Sequence, residues 1–293
     1  MKKLLLATTL IASSLLAEVV TLLPYAGAVN YDSDSAKSIK DTSTLYGIHS
    51  TVGTLSYLLE FDYAKFQTKY KQDTSLGSIE DLKQDDITIA YGHYFTNFML
   101  RGGVHYINTN DILLGNGIVG FASLGGYNFV GYDKYSYGLE GYYSNYKDGY
   151  DEGNTYVKKS INIIQFTPYF TAYNALSLNW GNSLTLKLNY QIAKDYIQDS
   201  YLSYDLSDTL YYKSLFLTLR GYGGEMRSGV KDSGFTVLNT LDLMKSGYGT
   251  KLGYYFTPSA ILSLSYDLNN YQEIYQTLDG TSSVATLSFS YGF

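Results

Sequence analysis

Val284-Ala285-Thr286-Leu287-Ser288-Phe289-Ser290-Tyr291-Gly292-Phe293 is the stretch that decides how this chain is read. Successive side chains of an extended strand point to opposite faces. One row here is Ala285, Leu287, Phe289, Tyr291 and Phe293; its complement, Val284, Thr286, Ser288, Ser290 and Gly292, is mostly small and polar. Bulky apolar groups on one face and small polar ones on the other suit a strand with lipid on one side and water on the other.

The same split recurs upstream. Ala260, Leu262, Leu264, Tyr266 and Leu268 oppose Ser263, Ser265, Asp267 and Asn269. Leu184, Leu186, Leu188, Tyr190 and Ile192 oppose Thr185, Lys187, Asn189 and Gln191. Leu55, Tyr57, Leu59, Phe61 and Tyr63 oppose Ser56, Glu60, Asp62 and Ala64, with Leu58 as the exception. Short connections fall at Val52-Gly53-Thr54, Thr96-Asn97, Val130-Gly131-Tyr132 and Thr257-Pro258-Ser259. Longer polar ones fall at Asp32–Ser43, Lys71–Gln84, Asn110–Asn116, Lys147–Lys159 and Tyr275–Gly280. Short and long connections alternate, as in barrels with tight turns at one rim and large loops at the other.

The pattern predicts an all-β fold, a closed antiparallel transmembrane barrel. Strands are expected near 20–31, 43–52, 54–69, 85–95, 98–109, 117–129, 132–146 and 160–173. They continue near 183–197, 200–211, 214–228, 246–257, 259–274 and 281–293. That is about fourteen, with twelve or sixteen as the neighbouring even counts if both ends share one side of the membrane. The stretch 198–246 is the weak one, where merging segments would give twelve. Pro168 removes a ladder hydrogen bond and is expected at a bulge near the periplasmic rim. Closure has a physical cause: lipid offers no partner to backbone N–H and C=O groups, so an open edge would be very costly.

Composition agrees. The 293 residues include 34 Tyr and 28 Gly but only 3 Pro and 1 Trp, and charged residues make up 16%. Tyrosine rings suit the apolar zone while their hydroxyls reach interfacial water, so Tyr25, Tyr46, Tyr57, Tyr91, Tyr106, Tyr254, Tyr266 and Tyr291 are expected to face outward, many in two girdles. Met1-Lys2-Lys3, the apolar stretch Leu4–Leu16 and the small Ala17 have the layout of a cleaved signal peptide, leaving residues 18–293 as a single barrel domain. With no cysteine there is neither a disulfide framework nor a lipid anchor through Cys. A net charge of −6 argues against nucleic acid as a partner.

Leu287, Phe289, Tyr291 and Phe293 resemble the C-terminal β-signal of bacterial outer-membrane proteins. With the export signal and the strand rhythm, the chain resembles a porin-like Gram-negative outer-membrane barrel of the monomeric, fourteen-strand kind. The resemblance implies periplasmic N- and C-termini, assembly by the barrel-assembly machinery, and a setting in outer-membrane lipid and lipopolysaccharide.

No enzymatic constellation is legible. The three histidines are His49, His93 and His105. Barrel phospholipases carry a histidine followed by Ser-Asn-Gly, and His49-Ser50-Thr51-Val52 departs from that. His93 shares a row with Tyr91 and Phe95, read as outward, while His105 shares an inward row with Arg101. Neither a cofactor nor a metal is expected. The inward face instead carries Glu60, Asp62, Arg101, His105, Glu140, Lys187, Arg220, Lys251 and Asp267 as candidate pore-lining residues. Any of these charges can equally pair with a neighbouring strand and hold the wall together.

Gly229–Ser246 is apolar for a loop, with Phe235, Val237, Leu238, Leu241, Leu243 and Met244. Extension of the flanking strands, or packing on neighbouring loops, is favoured over folding into the lumen as a lid. The expected function is a porin for passive diffusion of small hydrophilic solutes. The alternative is a structural or adhesive barrel with an occluded lumen, acting through loops 71–84 and 147–159. An uptake barrel for hydrophobic compounds is less favoured, because strand one begins too soon after Ala17 for an N-terminal plug.

Overall fold

A computed structural model of the protein describes residues 19–32, 40–70, 80–111, 114–149, 159–194, 198–238, 240, 242–273 and 279–293. The expected signal peptide, 1–17, lies outside the described residues, as do most of the long-loop positions. The first half of the chain supplies β1 (Val19–Asp32), β2 (Lys40–Gly53), β3 (Tyr57–Tyr70), β4 (Leu82–Tyr94), β5 (Phe98–Thr109), β6 (Gly117–Val130) and β7 (Asp133–Gly149). Then follow β8 (Lys159–Asn174), β9 (Trp180–Lys194), β10 (Ser200–Tyr212) and β11 (Leu215–Met226). Two very short strands, β12 (Val230–Lys231) and β13 (Thr236–Val237), pair only with each other. β14 (Leu243–Thr257), β15 (Ala260–Gln272) and β16 (Asp279–Gly292) finish the chain.

Fourteen strands, all but β12 and β13, form one closed antiparallel barrel, with β11 beside β14 and β16 beside β1. The closing seam runs from Thr21↔Gly292 to Asp32↔Thr281, and Phe293 N–H donates to Val20 O at 2.9 Å. The strands are 12 to 17 residues long. A tilted transmembrane strand needs ~9–11, so each can cross an apolar layer. The weak stretch 198–246 therefore contains two full barrel strands plus the start of a third, besides β12 and β13, and the merged twelve-strand alternative fails. The third strand begins at Tyr57 rather than 54, because Thr54–Ser56 form the turn, with Thr54 N–H donating to Tyr57 O.

The outer face is the apolar row the alternation marks. Leu264 and Leu287 are paired in register and stay 57% and 53% exposed, while Ser263 and Ser288 on the opposite face share a 2.7 Å hydroxyl contact. Tyr46, Tyr91, Tyr106, Tyr254, Tyr266 and Tyr291 are exposed, and Tyr57 stacks on Tyr91. Tyr25 is a correction. It points inward, where its hydroxyl donates to Asp62 Oδ2 at 3.1 Å. β1 carries apolar groups on both faces, so alternation alone could not orient it. Gly47, its register partner in β2, leaves the room: a Cβ there would lie 2.5 Å from the Tyr25 ring.

Pro168 corrects a second expectation. It sits within β8, opposite Leu139 of β7, and the β7 ladder passes through it without a shift. Its missing N–H falls on the β9 side, where pairing skips Thr167 and Pro168 but resumes in the same register, with no bulge. Thr167 Oγ1 donates to Asn189 Oδ1 at 2.9 Å across the gap. Gly223-Gly224 marks an irregularity of β11: Gly224 has φ +92° and the β11–β14 register shifts between Gly223 and Met226.

Candidate functional site

Between β11 and β14 the chain does not stay outside the barrel. Leu243–Ser246 does extend a strand, but the segment before it turns into the lumen as the β12–β13 hairpin, against the favoured expectation. Its sequence explains the geometry. Val230-Lys231 and Thr236-Val237 flank Asp232-Ser233-Gly234-Phe235, and positive φ at Asp232 (49°), Ser233 (55°) and Gly234 (98°) reverses the chain. Gly234 must be glycine, since a Cβ would lie 2.6 Å from the Phe121 ring as well as demanding that backbone.

What draws it inward is an apolar patch on one side of the interior. Ile107, Val119, Phe121, Tyr142, Tyr146, Ile161 and Ile163 are buried there with Val230 and Val237 of the hairpin, and Phe235 packs against them. A row of apolar groups facing water is unfavourable, and the hairpin covers it.

The hairpin backbone also needs partners once it leaves water. Gln165 of β8 and Gln191 of β9, register partners and both almost fully buried, provide them. Gln165 Nε2 donates to Val230 O at 2.8 Å while Val230 N–H donates to Gln165 Oε1 at 2.9 Å. Gln191 holds the N–H and C=O of Arg227 in the same two-way manner, each bond 3.2 Å. Tyr146 OH donates to Ser228 O at 3.2 Å.

At the tip the anchors are charged. Arg101 Nη1 donates to Ser233 O at 2.6 Å, and Ser233 Oγ donates to Glu140 Oε1 at 2.6 Å. The Arg101 guanidinium lies 5.0 Å from the rings of both Phe121 and Phe235, and His49 meets Phe235 edge to face at 4.8 Å. Lys231 Nζ donates to Asp205 Oδ1 at 3.1 Å and sits 3.8 Å above the Tyr222 ring.

The candidate residues read from sequence are thus brought together in pairs. Glu60 pairs with Arg101, Glu140 with Lys187, and Asp267 with Arg220. Each pair joins strands that are second neighbours, so the side chains bend over an intervening strand. Arg220, Gly249 and Asp267 lie in one register row across β11, β14 and β15. Arg220 Nε donates to Asp267 Oδ1 at 2.6 Å above Gly249, where a Cβ would be only 1.9 Å from that oxygen. Asp62 takes Tyr25 and lies 3.5 Å from His49. His105 is buried beside Thr88, their polar atoms 2.6 Å apart. Lys251 has no carboxylate within 4.0 Å among the described residues; its ammonium lies 6.0 Å from the Phe216 ring. His93 is on the outside near Tyr91 and Phe95, as expected.

Two spaces lined by charged and polar residues lie beside the hairpin among the described residues. One, about 380 Å³, lies between Lys231-Asp232 and the wall of β9–β11, β14 and β15, with Lys187, Asp205, Arg220 and Asp267 among its lining. The other, about 500 Å³, is bounded by Leu58, Glu60, Tyr94, Met99, Arg101 and Phe235. Leu58, the exception in the alternation of its strand, therefore lines the interior. Glu140, Lys187 and Asp232 border both spaces.

Sequence reasoning missed Gln165, Gln191, Asp205, Lys231 and Asp232. Lys231-Asp232-Ser233-Gly234 between two valine-containing pairs was a legible hairpin signal. Nothing local distinguished Gln165 or Gln191 from any other inward polar residue. Among the described residues no group of three or more His, Cys, Asp or Glu is placed to hold a metal ion.

No family model and no curated protein sequence matches the chain. Solved structures do. The CymD monoaromatic hydrocarbon channel superposes with a TM-score of 0.57 at 7% identity, over 96% of this chain and 90% of that one. The toluene transporter TbuX of Ralstonia pickettii gives 0.54 at 8% over 96% and 91%, and the toluene transporter TodX of Pseudomonas putida 0.54 at 9% over 96% and 90%. At such identities the likeness is one of fold: a porin-like outer-membrane barrel of fourteen strands.

Proposed function

We propose that this protein is an integral outer-membrane channel through which small hydrophilic solutes diffuse passively, with the β12–β13 hairpin forming the narrowest part of the path. The observation that carries this reading is the pair of polar spaces meeting at Glu140, Lys187 and Asp232 beside the hairpin tip. Charged side chains enclosed without water would be very costly, so spaces lined by so many of them are hydrated. Width and charge then set the barrier, and no cofactor or energy input is needed. Of the candidate residues, Glu60, Arg101, Glu140, Lys187, Arg220 and Asp267 supply the polar lining on this reading, while Asp62, His105 and Lys251 border neither space.

In the same reading both termini are periplasmic, which is supported by the start of β1 at Val19 and the end of β16 at Gly292 lying at the short-turn rim. Leu287, Phe289, Tyr291 and Phe293 serve as the assembly signal, and the barrel works as a monomer in lipid and lipopolysaccharide. Single-channel recording of the refolded protein in a planar bilayer tests the proposal. Stable ohmic steps are expected; a complete lack of conductance would instead favour the structural or adhesive role.

A second reading has one observation behind it. Leu58, Met99 and Phe235 give the larger space an apolar side, and the similar folds include channels named for monoaromatic hydrocarbons and toluene. Liposome swelling separates the two. Swelling in sugars and amino acids supports the hydrophilic path, whereas toluene flux without it supports the hydrophobic one.

A further inference from the structure

The charges around the hairpin can be matched one against another. The two polar spaces are bordered by five carboxylates and four cations. Glu60–Arg101 and Glu140–Lys187 are two of the ion pairs. Asp267–Arg220 and Asp205–Lys231 are the other two. Five less four leaves a single carboxylate, Asp232. Among the described residues no basic group lies within 4.0 Å of it; its Oδ2 accepts a hydrogen bond from Thr236 Oγ1 at 2.7 Å.

Position makes the leftover charge matter. Asp232 is in the tip of the hairpin and is one of only three residues bordering both spaces, and the other two, Glu140 and Lys187, neutralise each other. Lys251 faces the same interior without bordering either space, and Asp232 is the carboxylate that acts on it, from beyond ion-pair distance, so it offsets only part of the Asp232 charge. A paired charge presents a dipole whose field falls quickly with distance, while a carboxylate with no cation in contact keeps a longer-ranged field at an ion passing close by.

We propose that Asp232 makes the channel cation-selective, favouring small inorganic and organic cations at the junction of the two spaces. The inference rests on the channel reading above. A unit charge about 4 Å from a permeating ion in water is worth ~1 kcal/mol, which corresponds to about a fivefold preference. Screening weakens it as salt rises, with a Debye length of ~10 Å at 0.1 M.

The test is the reversal potential across a planar bilayer in a KCl gradient near 0.1 M, for wild type, Asp232→Asn and Asp232→Gly. Asparagine and glycine both tolerate the positive φ at this position, so the hairpin backbone is preserved. Wild type is expected to favour potassium over chloride about fivefold, and both variants to fall close to parity with open channels retained. An open wild-type channel without cation preference, or variants that keep it, overturns the inference. Absence of current in wild type overturns the channel reading instead, so the two failures are distinguishable.

Discussion

Gln165 and Gln191 stand opposite each other on neighbouring strands, and each carboxamide grips both the N–H and the C=O of one residue of the segment that enters the lumen. A carboxamide has the same donor–acceptor pair as a backbone edge. Two stacked on adjacent strands act as a two-rung strand, so a segment entering the barrel loses little hydrogen bonding.

Removing that clamp has a defined consequence. Each hydrogen bond is worth about 0.5–1.5 kcal/mol net, and an unsatisfied buried peptide costs about 1–3. The double variant Gln165→Ala/Gln191→Ala is expected to loosen the hairpin, raising unit conductance and open-channel noise in bilayer recordings. Unchanged traces would show that the apolar patch alone holds the hairpin.

Arg101 ties the tip to the wall through Glu60, Ser233 and two rings. Arg101→Ala leaves Glu60 without its cation and frees the tip. Stability should fall by about 1–3 kcal/mol in urea titrations of the refolded protein, and cation preference should rise because a second carboxylate is unmatched. Arg101→Lys should restore charge but not the guanidinium contacts with Ser233.

Gly249 is needed for the Arg220–Asp267 bridge, since a side chain there would strike Asp267. Gly249→Val should cost about 1–3 kcal/mol through overpacking, read as a lower temperature for losing the compact electrophoretic form. Gly221→Ala is the control: its Cβ meets only Gly247 O, at 3.5 Å. Equal effects at the two sites would remove any special role for Gly249.

Lipid exposure of the Leu264–Leu287 row gives the last prediction. Leu264→Arg should destabilise folding in lipid by about 2–4 kcal/mol, as for a cation near mid-bilayer. Ser207→Arg, facing the polar space, should have a much smaller effect. Similar costs at both positions would contradict the inside–outside assignment.

The inner–outer division was legible wherever one row was bulky and the other small. It held for Leu264 and Leu287 and for Ser263 and Ser288, and failed for Tyr25, whose strand is apolar on both faces. Asp267, Arg220, Glu60 and Arg101 were each recognisable as inward residues, but not as partners. Nor could the sequence orient Pro168, because whether a strand loses its hydrogen bond to one neighbour or the other depends on register.

By itself, then, the sequence determined the strands and, for most of them, the face turned to lipid. Side-chain alternation is a local property, repeated every two residues and readable without knowing what lies next door. Only the tertiary structure decided that 227–238 enters the lumen, that Arg220 and Asp267 pair across Gly249, and that Asp232 has no cation in contact among the described residues. Those outcomes depend on barrel closure, which brings residues more than a hundred positions apart, such as Arg101 and Ser233, within hydrogen-bonding distance.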